Sequence, residues 1–166
     1  MKTWKILCGW LLAAGLAVSA GAANAPKPLS GKKFDVLATS ALEAMKQKAA
    51  ELKIGGVAVV NYVPGSAVAG WSSKMAVVDR MTDPAAADRK GNNLLAIAYA
   101  KSAEMARTLV NSGTAAGPIM TGEFGWQGGV VEQVRGGWLI VSFSGGKSED
   151  DVQVSKAGLA VVKGGL

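Results

Sequence analysis

Two adjoining segments decide the fold: VVEQVRGGWLIVSF over 130–143 and SGGKSEDDVQVSKAGLAVVK over 144–163. The first holds two β-rich runs, 130–134 and 138–143, separated by Arg-Gly-Gly, and this pattern predicts a β-hairpin. The second predicts a helix from Ser148 to about Lys163, with Ser148 as its N-cap. A hairpin followed at once by a helix is typical of an antiparallel sheet that has a helix packed on it.

The preceding part of the chain also combines helices with pairs of strands. Apolar residues at helical spacing predict a helix over 35–53, ended by a Gly-Gly pair. Strands are predicted over 57–63 and 74–81, the latter with a possible lead-in from Val68. A second helix is predicted over 92–111. A glycine-rich loop over 117–129 follows, with room for a short strand at 119–120. This order predicts a single α+β domain, an antiparallel sheet flanked by helices.

The first residues have the pattern of a secretory signal peptide. Lys2 and Lys5 precede an apolar run over 6–18, and small residues follow over 19–25. The triplet Ala20-Gly21-Ala22 predicts cleavage after Ala22, whereas cleavage after Ala25 would place Pro26 directly behind the cut. The apolar run is shorter than the roughly 20 residues of a spanning helix, so a membrane anchor is not favoured. We therefore expect a signal peptide over 1–22, a flexible leader over 23–33, one domain over 34–166 and a periplasmic or secreted protein.

The composition limits the chemistry of the exported chain. The sequence has no histidine, and its single cysteine, Cys8, lies in the predicted signal peptide. A disulfide, a thiolate nucleophile and a Ser-His-Asp triad are therefore excluded from the exported chain. Lys101 could act as a base only if it were buried with a depressed pKa, and a lysine on a helix with one apolar face is usually at the solvated edge. An enzyme is the weakest interpretation.

The charged residues indicate no nucleic-acid partner. The net charge is +6, but the basic residues are scattered and are not interleaved with aromatic residues. The run Gly145-Gly146-Lys147-Ser148 resembles the end of a phosphate-binding loop, yet Val141 stands where that motif needs a glycine. The sequence leaves open a second interpretation, in which the backbone N–H groups of this turn bind an anion. The acidic residues at 149–151 are interpreted as helix-capping residues and not as a cation site, because consecutive helical residues point in different directions.

Large apolar side chains allow two interpretations. Five aromatic residues and the methionines beyond Met1 suit either a core or a soft apolar pocket, and the core is favoured because such side chains are usually buried. The five aromatic residues are Tyr62, Trp71, Tyr99, Trp126 and Trp138.

The C-terminal pattern resembles a known family. It consists of the strand GWLIVSFSGG over 137–146, the acidic residues at 149–151 and the helical Lys-Ala-Gly-Leu at 156–159. The segments VVDRM over 77–81 and KSAEMA over 101–106 agree in order. Together they resemble the GlcG/HbpS-like family of heme-binding proteins, which also supplies the C-terminal domain of PduO-type corrinoid adenosyltransferases. The resemblance covers nearly all of 34–166.

This resemblance implies a profilin-like fold, assembly as a homo-oligomer and binding of heme or a related tetrapyrrole. Since no histidine is present, Met, Tyr or Lys would have to ligate the iron, or the heme would have no strong protein ligand. Matching the motifs of the family places the cofactor pocket near four side chains and one glycine turn. Two of the four side chains, Arg80 and Lys101, could pair with the propionates of heme. The predicted site residues are Arg80, Met81, Lys101, Met105, Ser144, Gly145 and Gly146.

Two functions are compared. The first is an exported small binding protein for heme, a related tetrapyrrole or another anionic cofactor. The alternative is a non-heme accessory protein, an oligomeric scaffold or partner for an exported redox enzyme or sensor. The absent histidine favours the alternative, and the resemblance favours the first.

Overall fold

The structure, a computed structural model, describes residues 27–166. The predicted signal peptide and the start of the leader lie outside the described residues. Four antiparallel strands form the main sheet in the order β2-β1-β6-β5. Their bounds are Gly56–Pro64 for β1, Ser72–Val78 for β2, Gly129–Val134 for β5 and Gly137–Ser144 for β6. Two short strands, β3 (Thr82–Asp83) and β4 (Asn92–Asn93), pair in a second small sheet.

Three helices cover both faces of the sheet. Helix α1 (Gly31–Leu52) and helix α3 (Ser148–Gly164) share one face, where their apolar residues pack against Val60, Val141 and Phe143. Helix α2 (Leu94–Thr108) covers the other face. The two central strands are almost wholly buried because both of their faces are covered. The predicted fold class, an α+β domain with an antiparallel sheet flanked by helices, is confirmed.

Several boundaries differ from the prediction. Helix α1 begins at Gly31, inside the stretch predicted as a leader, because the Ser30 hydroxyl caps it by accepting a hydrogen bond from the Lys33 N–H. Strand β2 ends at Val78 because Asp79 has a left-handed backbone with φ of 67°. The segment 119–120 is loop and not strand, and 65–71 contributes no lead-in to β2.

The predicted N-cap of the last helix is wrong. Lys147 is the N-cap of α3 and makes no side-chain capping bond, while Ser148 is the first helical residue. The capping function passes to Asp151, whose carboxylate accepts a hydrogen bond from the Gly146 N–H at 2.8 Å. The acidic first turn therefore does fix the start of the helix, but from a buried position three residues into it.

The expectation that the aromatic residues form the core holds only in part. Tyr62 is buried, whereas Trp71 and Trp126 are exposed to 38% and 47%. Trp71 lies just before the edge strand β2, and Trp126 lies in the long loop between α2 and β5. Among residues 27–166, no helix combines the length and the apolarity that crossing a membrane requires.

Candidate functional site

A buried ion pair lies between α2 and α3. Lys101 Nζ donates to Asp151 Oδ2 and to the backbone oxygen of Phe143, both at 2.8 Å. Each of the two charged residues is only 3% exposed. The prediction that Lys101 lies at a solvated helix edge is therefore wrong. The loop that precedes β5 lies against α2 and closes off the side of the helix on which Lys101 projects.

Burial dominates the protonation of this pair. Desolvation lowers the pKa of Lys101, and the charge and hydrogen bond of Asp151 oppose that shift. Desolvation likewise raises the pKa of Asp151, against the attraction of Lys101 and the bonds from Gly146 and Gly145. In both groups burial is the largest cause of the shift, and the ion pair partly offsets it.

Gly128 lies directly over the ammonium group. A Cβ atom at this position would lie 2.2 Å from Lys101 Nζ, so no other residue fits without moving the lysine. The Gly128 backbone oxygen accepts hydrogen bonds from the Phe143 N–H at 3.1 Å and from the Ser155 hydroxyl at 2.6 Å. The loop is thus fastened to both β6 and α3 at the point where it covers the ion pair.

The turn between β6 and α3 forms one wall of the site. It depends on glycine because a Cβ at Gly145, with φ of 154°, would lie 2.0 Å from the Gly55 backbone oxygen. The Gly145 carbonyl oxygen accepts a hydrogen bond from Arg80 Nη2 at 2.7 Å. Asp151 holds the neighbouring Gly146 N–H, so both sides of the turn are fixed by charged side chains.

Arg80 belongs to a second ion pair at the edge of the site. Its Nε donates to Asp83 Oδ1 at 2.8 Å, and the two side chains are 36% and 21% exposed. The hydrogen bond from Arg80 lowers the pKa of Asp83, although partial burial opposes the shift. Asn92 Nδ2 donates to the other carboxylate oxygen at 3.3 Å. Arg80 is therefore already neutralised by a carboxylate of the same chain.

These groups surround a small cavity of about 110 Å³, here called the Lys101 cavity. Its lining combines hydrogen-bonding side chains, the glycine turn and a few apolar side chains. The lining residues are Asp83, Asn92, Leu94, Ile97, Lys101, Trp126, Gln127, Ser144, Gly145, Gly146, Ser148 and Asp151.

The structure brings most of the predicted site residues together. Lys101 and the Ser144-Gly145-Gly146 turn line the cavity, and Arg80 borders it through its bond to Gly145. Met81 is 43% exposed, and its backbone oxygen accepts a hydrogen bond from Leu94, which lines the cavity.

Met105 is separate from the predicted group. It is fully buried and packs with Val63 and Ile140 under the other end of the sheet. A Cβ at Gly129 would lie 2.3 Å from its methyl carbon, so Met105 fills the space that this glycine leaves. Its thioether faces the core and not the Lys101 cavity.

Most residues that line the cavity are not among the predicted site residues. From sequence, Asp151 is interpreted as a capping residue and Trp126 as a core or pocket side chain with the core favoured, and Gln127 lies in a predicted loop. One available signal was the position of Lys101 within an otherwise apolar stretch of α2, because a lysine on a buried helix face requires a partner. Trp126 also has a stacking neighbour, since its ring centroid lies 4.9 Å from that of Phe124.

Comparison with known proteins identifies a solved structure with the same fold. No protein-family model and no curated protein matches the chain. Among solved structures, the crystal structure of a PduOC:heme complex is similar, with a TM-score of 0.52 and 15% sequence identity. The match covers 81% of this chain and 94% of that one. At this identity the similarity shows a shared fold, which is the fold type of the PduO C-terminal domain expected from the sequence.

The donor set of the Lys101 cavity fits a carboxylate-bearing ligand. Asn92, Gln127 and Ser148 offer side-chain donors, and an ammonium group carries three protons, of which two are used by Asp151 and Phe143. The volume is below the roughly 300 Å³ at which pockets enclose whole cofactors, so it suits one polar substituent. A larger apolar body would have to rest outside the cavity, beside Trp126, which lines the cavity and is 47% exposed.

Proposed function

We propose that the protein binds heme, or a related flat and anionic tetrapyrrole, at the entrance of the Lys101 cavity. The observation that carries this proposal is the combination of a small polar cavity with exposed apolar side chains beside it. A flat apolar ring with carboxylate arms has the complementary chemistry. The similarity in fold to a PduOC protein crystallised with heme supports the same class of ligand.

Hydrogen-bond donors would hold the anionic arms. Lys101 has a remaining proton, and Asn92 and Gln127 have amide groups at the cavity wall. The two ion pairs, Lys101 with Asp151 and Arg80 with Asp83, leave these four side chains neutral in total. Affinity for a carboxylate would then come from directed hydrogen bonds more than from net charge.

Among the predicted site residues, Met81 is the candidate ligand for an iron. It is 43% exposed, whereas Met105 is fully buried and Lys101 already donates to two oxygens. The Tyr99 hydroxyl is hydrogen-bonded to Ser73 at 3.1 Å. Heme, when bound, would supply a redox-active iron, which no side chain of this chain can replace. The chain itself would contribute binding, orientation and partial exclusion of water.

Titrating the purified protein with hemin tests this proposal by absorbance. We expect a saturable, red-shifted Soret band at one heme per chain. Met81→Leu should change the position of that band because it removes the thioether while keeping an apolar side chain. The matched control is Met120→Leu, the same change at a methionine that is 54% exposed and does not line the cavity, and it should leave the spectrum unaltered. A spectrum equal to that of free hemin contradicts heme binding and turns attention to an accessory role beside an exported redox enzyme or sensor.

We also propose that the chain is exported and assembles with copies of itself. The support for export is the signal-peptide pattern of 1–22. Expressing the full chain in a bacterium and sequencing the N-terminus of the exported product checks it, with Ala23 as the expected first residue. Retention of Met1 would contradict export by this route. Light scattering of the same product gives the number of chains, and a monomer would contradict self-assembly.

A further inference from the structure

A second buried charge lies on α2, three residues after Lys101. Glu104 is 4% exposed, and its Oε1 accepts a hydrogen bond from the Gly113 N–H at 2.7 Å. Its other oxygen, Oε2, is buried and has no hydrogen-bond partner among residues 27–166. A buried carboxylate oxygen without a donor is unfavourable, so a donor from outside the described residues would stabilise it.

Glu104 lines a cavity of about 200 Å³, here called the Glu104 cavity. It lies between α2 and the loop that follows this helix, and it is distinct from the Lys101 cavity. Gly113, the partner of the Glu104 carboxylate, lines the same cavity, which places the carboxylate end at its wall. The remaining lining residues are Arg107, Ala115, Gly117, Pro118, Ile119, Glu123 and Gly125.

The other charged groups of this cavity satisfy each other. Arg107 donates from Nε and Nη2 to the two oxygens of Glu123 at 2.7 and 2.8 Å, a bidentate pair. Glu123 also accepts a hydrogen bond from the Met120 N–H at 3.1 Å. Two carboxylates and one guanidinium leave this cavity with one net negative charge. That charge is assigned to Glu104 because, among residues 27–166, it makes no salt bridge.

We propose that the Glu104 cavity binds a small organic ammonium ion, with its N–H groups directed at the Glu104 carboxylate. Three features define this ligand class. The unpaired carboxylate oxygen requires a donor, the net charge favours a cation, and Pro118 and Ile119 supply an apolar wall for a short alkyl group. The volume limits the ligand to a few heavy atoms, below the size range of ordinary drug-sized pockets.

Other ligands fit this cavity less well. An anion would face two carboxylates. A metal ion needs several oxygen, nitrogen or sulfur ligands, and residues 27–166 contain no group of three or more His, Cys, Asp or Glu side chains arranged to hold one. A neutral alcohol could donate one hydrogen bond to Glu104 but would not neutralise its charge. An ammonium group provides both the donor and the charge.

The test is a titration of the ¹⁵N-labelled protein with propylammonium chloride, followed through the amide signals of Gly113 and Gly125. Sodium chloride at equal ionic strength and 1-propanol at equal concentration are the two reference titrations. We expect saturable shifts of both signals with propylammonium alone. No shift, or equal shifts with 1-propanol, would overturn the proposal without any variant being needed.

Two glutamate variants then localise the binding. Glu104→Gln keeps an oxygen for the Gly113 N–H and removes the charge, so propylammonium should bind about tenfold more weakly or worse. Glu132→Gln is the matched control, because Glu132 forms a surface ion pair with Lys163 away from this cavity. Undiminished affinity in Glu104→Gln, or an equal loss in Glu132→Gln, would contradict the assignment to Glu104. This result is independent of the hemin titration, since neither residue lines the Lys101 cavity.

Discussion

The two buried charges of α2 differ in how they are satisfied. Lys101 has a counter-ion and a carbonyl oxygen within 2.8 Å, both from the chain. Within the described part of the chain, Glu104 has one backbone N–H for one of its two oxygens and no donor for the other. The residues are three positions apart on one helix and similarly buried, so burial alone does not explain the difference.

The partners come from different parts of the chain. The counter-ion of Lys101 lies on α3 and its carbonyl partner on β6, two regular elements that pack against each other. For Glu104, the loop between α2 and β5 contributes a single N–H. Regular elements thus supply Lys101 with a counter-ion and a carbonyl acceptor, while the loop leaves a cavity and an unpaired carboxylate oxygen beside Glu104 within residues 27–166. Lys101 can offer a ligand only its third proton, whereas Glu104 can offer a ligand its charge as well.

The largest effect is expected from breaking the Lys101 pair. Lys101→Met leaves Asp151 buried without a counter-ion, and we expect the free energy of unfolding to fall by about 3–5 kcal/mol. Urea denaturation measured at neutral pH gives this value. The double variant Lys101→Met with Asp151→Leu should recover most of the loss, because two apolar residues can replace a buried pair at little cost.

The effect of Glu104→Gln on stability is to be compared with that of Lys101→Met, because Glu104 is the other buried charge of α2. It retains the bond to Gly113 and removes an unpaired charge, so the free energy of unfolding should change by less than about 1 kcal/mol in the absence of ligand. A loss in Glu104→Gln as large as that in Lys101→Met would show that the Glu104 carboxylate is satisfied within the protein. The contrast between the two charges would then be wrong.

Local patterns explain why the fold could be predicted from the sequence. The hairpin of β5 and β6 is encoded by two runs rich in β-branched and aromatic residues on either side of Arg-Gly-Gly, and the helices by single apolar faces. These signals involve neighbours in sequence. Strand β2 ends earlier than predicted because Asp79 takes a left-handed conformation, which propensity does not reveal.

The candidate site was harder to predict than the fold because it depends on contacts between residues that are distant in sequence. Lys101 and Asp151 are 50 positions apart and meet only after α2 and α3 have packed around the end of β6. From sequence, Lys101 had the features of a surface lysine and Asp151 those of a capping residue. The family resemblance placed Lys101 beside the Ser144-Gly145-Gly146 turn, and the structure agrees. It could not separate Met105 from this group, since burial in the core depends on the space that Gly129 leaves.

A side chain at position 128, directly over Lys101, should have the next largest effect on the free energy of unfolding. Gly128→Ala adds a Cβ that would meet Lys101 Nζ at 2.2 Å, and the position has φ of 135°. Gly117→Ala is the matched control, with φ of 128° and no atom within 4 Å of the added Cβ. Both variants incur the backbone cost, so the difference between their unfolding free energies measures the crowding alone. We expect Gly128→Ala to be less stable than the control by about 1–3 kcal/mol in thermal or urea unfolding. Equal losses would mean that the ion pair adjusts freely.

The smallest effect is expected at the exposed edge of the Lys101 cavity, where Arg80 lowers the pKa of Asp83 below its usual value of 3.8. The folded state then binds this proton less readily than the unfolded state does, so the contribution to stability is present above pH 3.8 and is lost as the pH falls through the folded-state pKa. Wild type should exceed Asp83→Asn in unfolding free energy by less than about 1 kcal/mol at neutral pH, because the pair is solvated.

Urea unfolding at a series of pH values from neutral to acid measures this difference, which should shrink toward zero at the acid end. Repeating the comparison in an Arg80→Gln background should weaken the pH dependence, since the hydrogen bond from Arg80 is the largest cause of the lowered pKa and Asn92 and Arg89 contribute less. A pH-dependent difference that is undiminished without Arg80 would assign the shift to another group of the site. An effect at Asp83 as large as that of Lys101→Met would mean that the edge of the cavity is as well shielded from water as its floor. The distinction between buried and solvated ion pairs in this site would then be lost.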